Sequence, residues 1–404
     1  MSAILRANQA APAGNRHPVS SVGIDGPGRI GLYEDAWSAA ELADGQFFLE
    51  TLYSGISTGT ELTFFRGSNP YQHKQWDNEL RAFRTAEAQP PTATQKFIGY
   101  MEVGRVTASR SSLVRPGQII AATYAHKTGH RASENSLFFS LPDTVDPVLG
   151  IFVAQMGPIC INSLAHADYF LSLGSPRAET LGSSLRGKRT AVFGAGVVGL
   201  ITALLARQEQ ADVLVVDRDP ARLARARRMG LQTLNSAEEP IRQAVKGVIW
   251  GSNEGNPGAD VVVECTGSSH ALNDAIAVAR RQAYVLALGF YQGEASGLQL
   301  GEEFHHNGIR LICVQIGNTL PGWDHRALGN EMVRRLQDPA FQSGLCELIT
   351  HYVPFSRAQQ AYDALSSNHV ELIKSFSVDP DSPDIMQVVL YPDVEPGIPM
   401  DPAA

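Results

Sequence analysis

The pattern of apolar and polar positions changes texture once along the chain. From about Gly31 to Asp143, short β-branched or aromatic runs such as "GQFFLETLYSG", "VGRVTAS" and "GQIIAATYA" are broken by Gly and Pro. That is the signature of half-buried strands closed by turns, and it predicts a β-rich module. A polar, Pro-flanked insertion, "SNPYQHKQWDNELRAFRTAEAQPPTATQ", separates two of these runs. Its one candidate element is a helix over Asp77 to Ala88, and it reads either as a lid or as a surface excursion. The next segment, "LPDTVDPVLGIFVAQMGPICINSLAHAD", reads as a helix with small and apolar positions along it. Beyond it strand-like runs ("RTAVFGA", "DVLVVDR", "DVVVECTG", "YVLALGF") alternate with helical segments such as "ARLARARRMG" and "HALNDAIAVARR". Such alternation implies βαβ units and a parallel sheet, with "IRLICVQIG" as a candidate last strand. The stretches "HRALGNEMVRRLQ", "THYVPFSRAQQAYDALSS" and "IKSFSVD" then read helix, strand, helix, strand, and no internal repeat or low-complexity tract is present.

With 404 residues, 44% hydrophobic and 18% charged, the chain is an ordinary globular protein of two or three domains. A formal net charge of -8 gives no electrostatic reason to attract nucleic acid or an anionic membrane, so a small molecule is the expected partner. None of the four cysteines pairs with another at the spacing of a zinc knuckle or redox motif, which fits a reduced cytoplasmic protein. No signal-peptide core and no bilayer-length apolar run is seen, and residues 1 to 20 read as a loosely held tail.

"AVFGAGVVGLITALLA" places Gly194, Gly196 and Gly199 in the pattern GxGxxG, between an apolar strand and a helical run. The first glycine makes the tight turn, the second admits a pyrophosphate to the backbone, and the third lets helix and strand pack closely. The phosphates then meet the exposed amides of the first helical turn, at Val197 and Val198. A second strand, "DVLVVD", ends in Asp217 at the spacing that ribose recognition requires. A carboxylate there accepts from the 2′-hydroxyl and repels a 2′-phosphate by roughly 4 kcal/mol per charge pair at about 4 Å and an effective dielectric of about 20, which favours NAD over NADP. The neighbouring Arg218 opposes this, because a guanidinium can stack on adenine or hold a phosphate.

With both halves in view, the chain resembles the medium-chain dehydrogenase/reductase superfamily over roughly residues 28 to 380, on "SGISTGTEL", "FIGYMEVGRV", "RPGQIIA", "LPD", "GAGVVGL" with Asp217, and "VVVECTG". The resemblance implies an α/β fold: a Rossmann doubly wound parallel sheet plus a β-rich GroES-like catalytic domain. The expected boundaries are 1–157 for the GroES-like part, 158–321 for the Rossmann part, with Thr266 and Gly267 also at the cofactor, and 322–404 for a return to the catalytic domain and an extension. Zinc-dependent members carry a cysteine in the first turn, a Gly-His-Glu on the next conserved strand, and a Cys or Glu on the helix entering the Rossmann domain. Here Ser57, Tyr100, Met101 and Gln155 stand at those positions, and the cysteine-rich structural zinc lobe is absent after "AATYAHKTGH". Serine, tyrosine, methionine and glutamine are a poor donor set for zinc, so no metal is expected. "SGISTGTE", "GYMEVGRV" and "FHHNGIRLICVQIG" look most like the bacteriochlorophyllide 3-hydroxyethyl dehydrogenase branch, beside the threonine dehydrogenase-like members. The insertion at 68–96 and the tail beyond Asp379 lie outside that likeness, so only the reaction class carries over.

Without a Lewis acid some side chain must polarise the substrate oxygen or take its proton. Tyr100 replaces a ligand and is the first candidate, with filling of the vacated metal space as the alternative. Thr60 can pass a proton, whereas Glu61 reads as a brace for the serine turn. His126 and His130, close to Tyr124 in "TYAHKTGH", are the candidate shuttles because an imidazole titrates near neutrality. His305 and His306 adjoin the candidate last strand, within reach of substrate or of a dimer partner. Cys160 and Cys265 lie in apolar runs and read as small buried hydrophobes. The leading reading is a zinc-independent NAD(H)-dependent oxidoreductase for a secondary alcohol and ketone pair, working as a homodimer. The alternatives are a zinc-less quinone or enone reductase of the same superfamily and a non-catalytic NAD-binding protein.

Overall fold

The structure is a computed structural model; it describes residues 16–69, 71, 74–85, 96–173, 180–251, 255–372, 374–379 and 382–393. The chain divides into two compact units, Met1–Ala154 with Ile349–Ala404, and Gln155–Leu348.

The first unit is built on antiparallel strands. β1 (His17–Gly26) and β2 (Arg29–Trp37) form a hairpin whose other edge takes β6 (Lys96–Phe97). His17 to Ser20 therefore belong to a strand rather than to the expected tail, and residues 1–15 lie outside the described residues. β3 (Gln46–Gly55) buries Phe47, Phe48 and Leu49 and leads through the serine turn into α1 (Glu61–Arg66). The insertion holds a hairpin, β4 (Lys74–Asp77) and β5 (Ala82–Thr85), where a helix was expected over Asp77 to Ala88. Its cause is local. Trp76 faces Phe83 edge-on across the strands at 4.9 Å, and Asp77 Oδ1 accepts the N–H groups of Glu79 and Leu80, a turn that outcompetes helix propensity. Residues 86–88 lie outside the described residues. β7 (Glu102–Ser109), β8 (Ile119–Ala122), β9 (Gly129–Ser133) and β10 (Phe138–Ser140) extend the sheet around β3.

The segment expected as one helix breaks in two. A 3-10 turn at Pro147–Phe152, capped by Asp146, ends before α2 (Met156–Leu171), because Gln155 leaves helical dihedrals at φ -141 and ψ -54. Restarting there keeps Pro158 in the first turn, where its missing N–H is no loss; a continuous helix would put it in the interior.

The second unit is a parallel sheet of β11 (Arg189–Phe193), β12 (Asp212–Asp217), β13 (Gln232–Asn235), β14 (Ala259–Glu264), β15 (Ala279–Ala287) and β16 (Arg310–Cys313), in the order β13-β12-β11-β14-β15-β16. Runs such as Val213 to Val216 and Val261 to Val263 are buried throughout, as a sheet covered on both faces requires. The helices are α3 (Val197–Gln208), α4 (Pro220–Arg228), the single turn α5 (Ile241–Gln243), α6 (Ser269–Val278), the single turn α7 (His305–Asn307), α8 (His325–Arg335) and α9 (Pro339–Cys346). Asp219, Ser268, Asp324 and Asp338 cap α4, α6, α8 and α9 through their side chains. Strand order reverses between β11 and β14, the point where such sheets receive ligands at the strand C-termini.

The return to the first unit comes at Ile349, not at residue 322. α8 stays with the second unit because Arg335 is buried there, bonded to Glu331 and Glu209 and donating to the Leu181 carbonyl at 2.7 Å. β17 (Ile349–Pro354) and α10 (Ala358–Ser367) then follow. "IKSFSVD" is not a strand but contains a 3-10 turn at Lys374–Phe376; the strand comes later, as β18 (Gln387–Tyr391) from the tail left outside the resemblance. β18 lies between β17, parallel, and β3, antiparallel, and its Val388, Val389 and Leu390 are fully buried. Among the described residues no helix is long and apolar enough to cross a membrane.

Candidate active site

In the second unit the glycine turn is shaped by what each glycine lacks. Gly194 has φ +101, and a Cβ on it would press on Thr266 Cγ2 at 2.9 Å. A Cβ on Gly199 would overlap the Gly194 carbonyl oxygen. At Gly196 nothing lies within 4 Å of that position, and this glycine begins α3 with no side chain capping it, so the amides of Val197 and Val198 open the helix. Open space at an uncapped helix start fits a dinucleotide pyrophosphate. Asp217 ends β12 beside this turn, its Oδ2 accepting the Ala195 N–H at 2.6 Å and its Oδ1 those of Arg218 at 2.7 Å and Asp219 at 2.9 Å. Arg218 is exposed.

Sequence reasoning missed the group that shapes the loop after β14. Glu264, fully buried, accepts from the Thr266 N–H at 2.6 Å, the Thr266 hydroxyl, the Gly267 N–H at 3.2 Å and the Tyr291 phenol. This folds Thr266 and Gly267 into a tight turn, Gly267 at φ +71. The signal was an acidic residue closing an otherwise apolar strand. Cys160 is buried, which pushes its thiol up to about 12, and burial raises Cys265 as well, in line with their reading as inert. His305 and His306 sit exposed on α7.

In the first unit, residues far apart in sequence meet in one buried polar chain. The serine turn brings Glu61 back onto itself: Glu61 Oε1 accepts the Ser57 N–H at 3.0 Å while the Glu61 N–H donates to the Ser57 carbonyl at 3.0 Å. The other carboxylate oxygen meets His126 Nε2 at 2.9 Å and accepts from the Tyr362 hydroxyl of α10. His126 Nδ1 lies 2.6 Å from Ser54 Oγ, which in turn donates to Glu102 Oε1 at 3.0 Å. Ser54 and Glu102 face each other across the β3–β7 register, and the second Glu102 oxygen accepts the Tyr124 N–H at 2.9 Å. Gly99 makes room: a Cβ there would lie 2.6 Å from the His126 nitrogen and 2.8 Å from Glu102 Oε1. Ser54, Ser57, Glu61, Glu102, His126 and Tyr362 are all buried.

Tyr100 is half-buried, and its hydroxyl donates to Ser57 Oγ. Burial and the Glu61 carboxylate push this phenol up to about 12, against the Ser57 and Thr60 hydroxyls that hydrogen-bond to it. Burial lifts Glu102 to about 8 although His126 pulls it down. Burial also pulls His126 down, but Glu61 and Glu102 outweigh it and hold the imidazole above its ordinary value. His130 stands apart from this chain on β9, stacked on Tyr124 at 4.5 Å; burial, Lys127 and Arg131 lower it to about 4. Tyr100, Thr60 and His126 thus gather around Glu61, expected only to brace the loop, while Ser54 and Glu102, each inside a motif, and Tyr362 were given no role from the sequence.

Residues 197–326 match the family model described as zinc-binding dehydrogenase. L-galactonate-5-dehydrogenase of Escherichia coli K12 is 29% identical over 190 residues, 46% of this chain and 51% of its own. D-guloside 3-dehydrogenase of the same organism is 24% identical over 345 residues, 78% and 87% of the two chains. The chain thus spans about half the length of the first relative and most of the second. Two solved structures share the fold: a protein from Sinorhizobium meliloti 1021 bound to NADP (TM-score 0.63, 18% identity, 93% of this chain and 100% of that one) and a structure described as a short chain alcohol dehydrogenase from Escherichia coli CFT073 complexed with NADH (TM-score 0.61, 16% identity, 93% and 99%). The chain is therefore similar to zinc-binding dehydrogenases over residues 197–326, and it shares the fold of solved dehydrogenases that carry a nicotinamide dinucleotide.

The matched family is described as zinc-binding, and the residues here do not fit that metal. Ser57 Oγ is engaged by the Tyr100 phenol, Met101 is buried with its thioether against Gly55, and Gln155 offers an amide. None supplies the thiolate, imidazole or carboxylate that zinc takes.

Proposed function

We propose that the protein is a zinc-independent NAD(H)-dependent oxidoreductase that interconverts a secondary alcohol and a ketone on a small or medium-sized metabolite. The observation that carries this reading is the Tyr100 phenol, half-buried and bonded to Ser57, the two residues that stand where the resemblance implies metal ligands. NAD(H) supplies the hydride acceptor or donor when bound. The Val197 and Val198 amides would hold its pyrophosphate beside Gly194, Gly196 and Gly199, with Asp217 and Arg218 toward the adenosine end and Thr266 and Gly267 lining the same site. A phenol held near 12 keeps its proton at neutral pH, so Tyr100 is set to donate to a carbonyl oxygen during ketone reduction. Thr60 is the adjoining hydroxyl through which that proton is replaced, whereas His130, on β9 apart from the polar chain and lowered to about 4, has no part in it. The hydroxylated substrates in the relatives' names, a galactonate and a guloside, support a small polar metabolite.

The test is a panel of ketones, enones and quinones followed by NADH fluorescence, with elemental analysis of protein purified without chelator. Turnover of ketones, abolished in Tyr100→Phe and retained with well below one zinc per chain, supports the reading. Stoichiometric zinc required for turnover overturns it, enone or quinone turnover alone reassigns the reaction, and cofactor binding without turnover points to a non-catalytic protein. A homodimer belongs to the same proposal, because β16 ends the strand order with Leu311 and Cys313 exposed, and among the described residues no strand pairs with its outer edge. Light scattering that reports a monomer at micromolar concentration removes it.

A further inference from the structure

A buried ion pair is poor value for stability alone, since apolar residues of similar volume commonly do as well or better. Yet this chain keeps two carboxylates and an imidazole fully enclosed within one unit. Their connections have a direction. Glu61 spends one oxygen on the Ser57 amide, the residue whose hydroxyl receives the Tyr100 phenol, and the other on His126 and Tyr362. On its far side His126 reaches Glu102 through the Ser54 hydroxyl, and its Nδ1 lies 3.6 Å from Glu102 Oε1 directly.

We propose that Glu61 is a positioning residue that couples the Ser57–Tyr100 pair to a proton held in the buried His126–Ser54–Glu102 chain, with Tyr362 as its second anchor. This rests on the reading that places Tyr100 at the reacting oxygen. The groups facing His126 are Glu61 of α1, Glu102 of β7, Ser54 of β3 and Tyr362 of α10; those acting on Tyr100 are Ser57, Thr60, Glu61 and Glu102. His126 is the one basic side chain in that set. Its proton therefore decides whether the carboxylate beneath Tyr100 is balanced. With His126 protonated the field of Glu61 is compensated, and the phenol gives up its proton more readily. With His126 neutral the uncompensated carboxylate holds the phenolic proton more tightly. The Ser54 hydroxyl can relay that proton to Glu102 by accepting from Nδ1 and donating to the carboxylate, so atoms and charge balance without any external reagent.

The experiment reads Tyr100 directly, by ultraviolet difference titration of tyrosinate with Tyr100→Phe as the blank. Glu61→Gln is expected to weaken proton binding at Tyr100 by about tenfold or more, while His126→Gln, neutral as the imidazole already is where tyrosinate forms, is expected to remove the lower-pH step at which the Tyr100 ring responds. Both results support the coupling. A Tyr100 titration unmoved by Glu61→Gln, or a lower step that survives His126→Gln, overturns it. If Glu61→Gln does not fold, the native protein decides: in a chemical-shift titration the Tyr100 ring must respond at the step that deprotonates His126, and a flat response through that step overturns the proposal. Because no substrate is involved, failure here is separate from failure of the reaction assignment, which Tyr100→Phe turnover tests by itself.

Discussion

The glycine turn at the head of α3 and the polar chain around Glu61 are built on opposite principles. The first is made of backbone: three glycines, an uncapped helix start and one carboxylate held by three amides, within residues 194–219. The second is made of side chains from Ser54, Ser57, Glu61, Tyr100, Glu102, His126 and Tyr362, carried by strands, loops and helices far apart in sequence. Phosphate recognition needs many weak donors in a fixed curve, which backbone provides. Proton transfer needs a few groups with displaced proton affinities, which only burial and mutual contact provide.

The sharpest way to break that contrast is to unpair the buried charges. Glu61→Ala is expected to cost about 3–5 kcal/mol, because it strands His126 without its partner, whereas Glu61→Gln combined with His126→Gln should cost less than the sum of the two singles. Urea unfolding of the native protein and these four variants measures both. The backbone site should fail differently. Gly199→Ala forces the Gly194 carbonyl aside and is expected to lose about 3 kcal/mol, while Gly196→Ala, which meets open space, should keep stability within about 1 kcal/mol and still lose dinucleotide affinity. Loss of affinity without loss of stability at Gly196 is what a ligand site predicts and a purely structural turn does not.

A smaller effect separates the regions by pH. Glu102 titrates near 8 in the folded chain against an ordinary 4.5, and His126 is also raised. Both groups bind protons more tightly when folded, so their stabilisation is complete below their ordinary values and is lost as pH rises through the folded ones. The melting temperature of the first unit should therefore fall between about pH 5 and about pH 9, and Glu102→Gln should flatten that fall. The smallest effect lies at Asp217. NAD should bind more tightly than NADP by about 1.4 kcal/mol or more, and Asp217→Ser should narrow or invert the gap by leaving Arg218 unopposed. Equal or tighter NADP binding by the native protein sinks Asp217 as the ribose ligand.

The same contrast sets what could be read before folding. The GxGxxG turn and Asp217 were legible because their geometry is local: spacing in sequence is spacing in space. The parallel sheet was legible from its uninterrupted valines. Ser54, Glu102 and Tyr362 were not, because a serine in a strand or a tyrosine in a helix acquires meaning only from what the register and packing bring opposite. Glu61 was visible but underestimated; its loop contact is local, its contact with Tyr362 spans three hundred positions. The hairpin at 74–85 was misread because its Trp76–Phe83 contact outweighs helix formers in the same window.

β18 carries a consequence for how the protein is made. This interior strand pairs with β3, and the Gln387 side chain donates to the Ile56 carbonyl at 3.0 Å, next to the serine turn. A ribosome delivers β3 and the turn early, then synthesises all of residues 155–348 before the strand that completes them emerges. During that interval the nascent β3 edge is unpaired while the later unit has every residue it needs to fold by itself. Recovery of native protein is then governed by how long an open edge survives in the cell, so slower translation of residues 349–391, or depletion of a chaperone that shields strands, should lower yield without changing the unfolding free energy of the finished molecule.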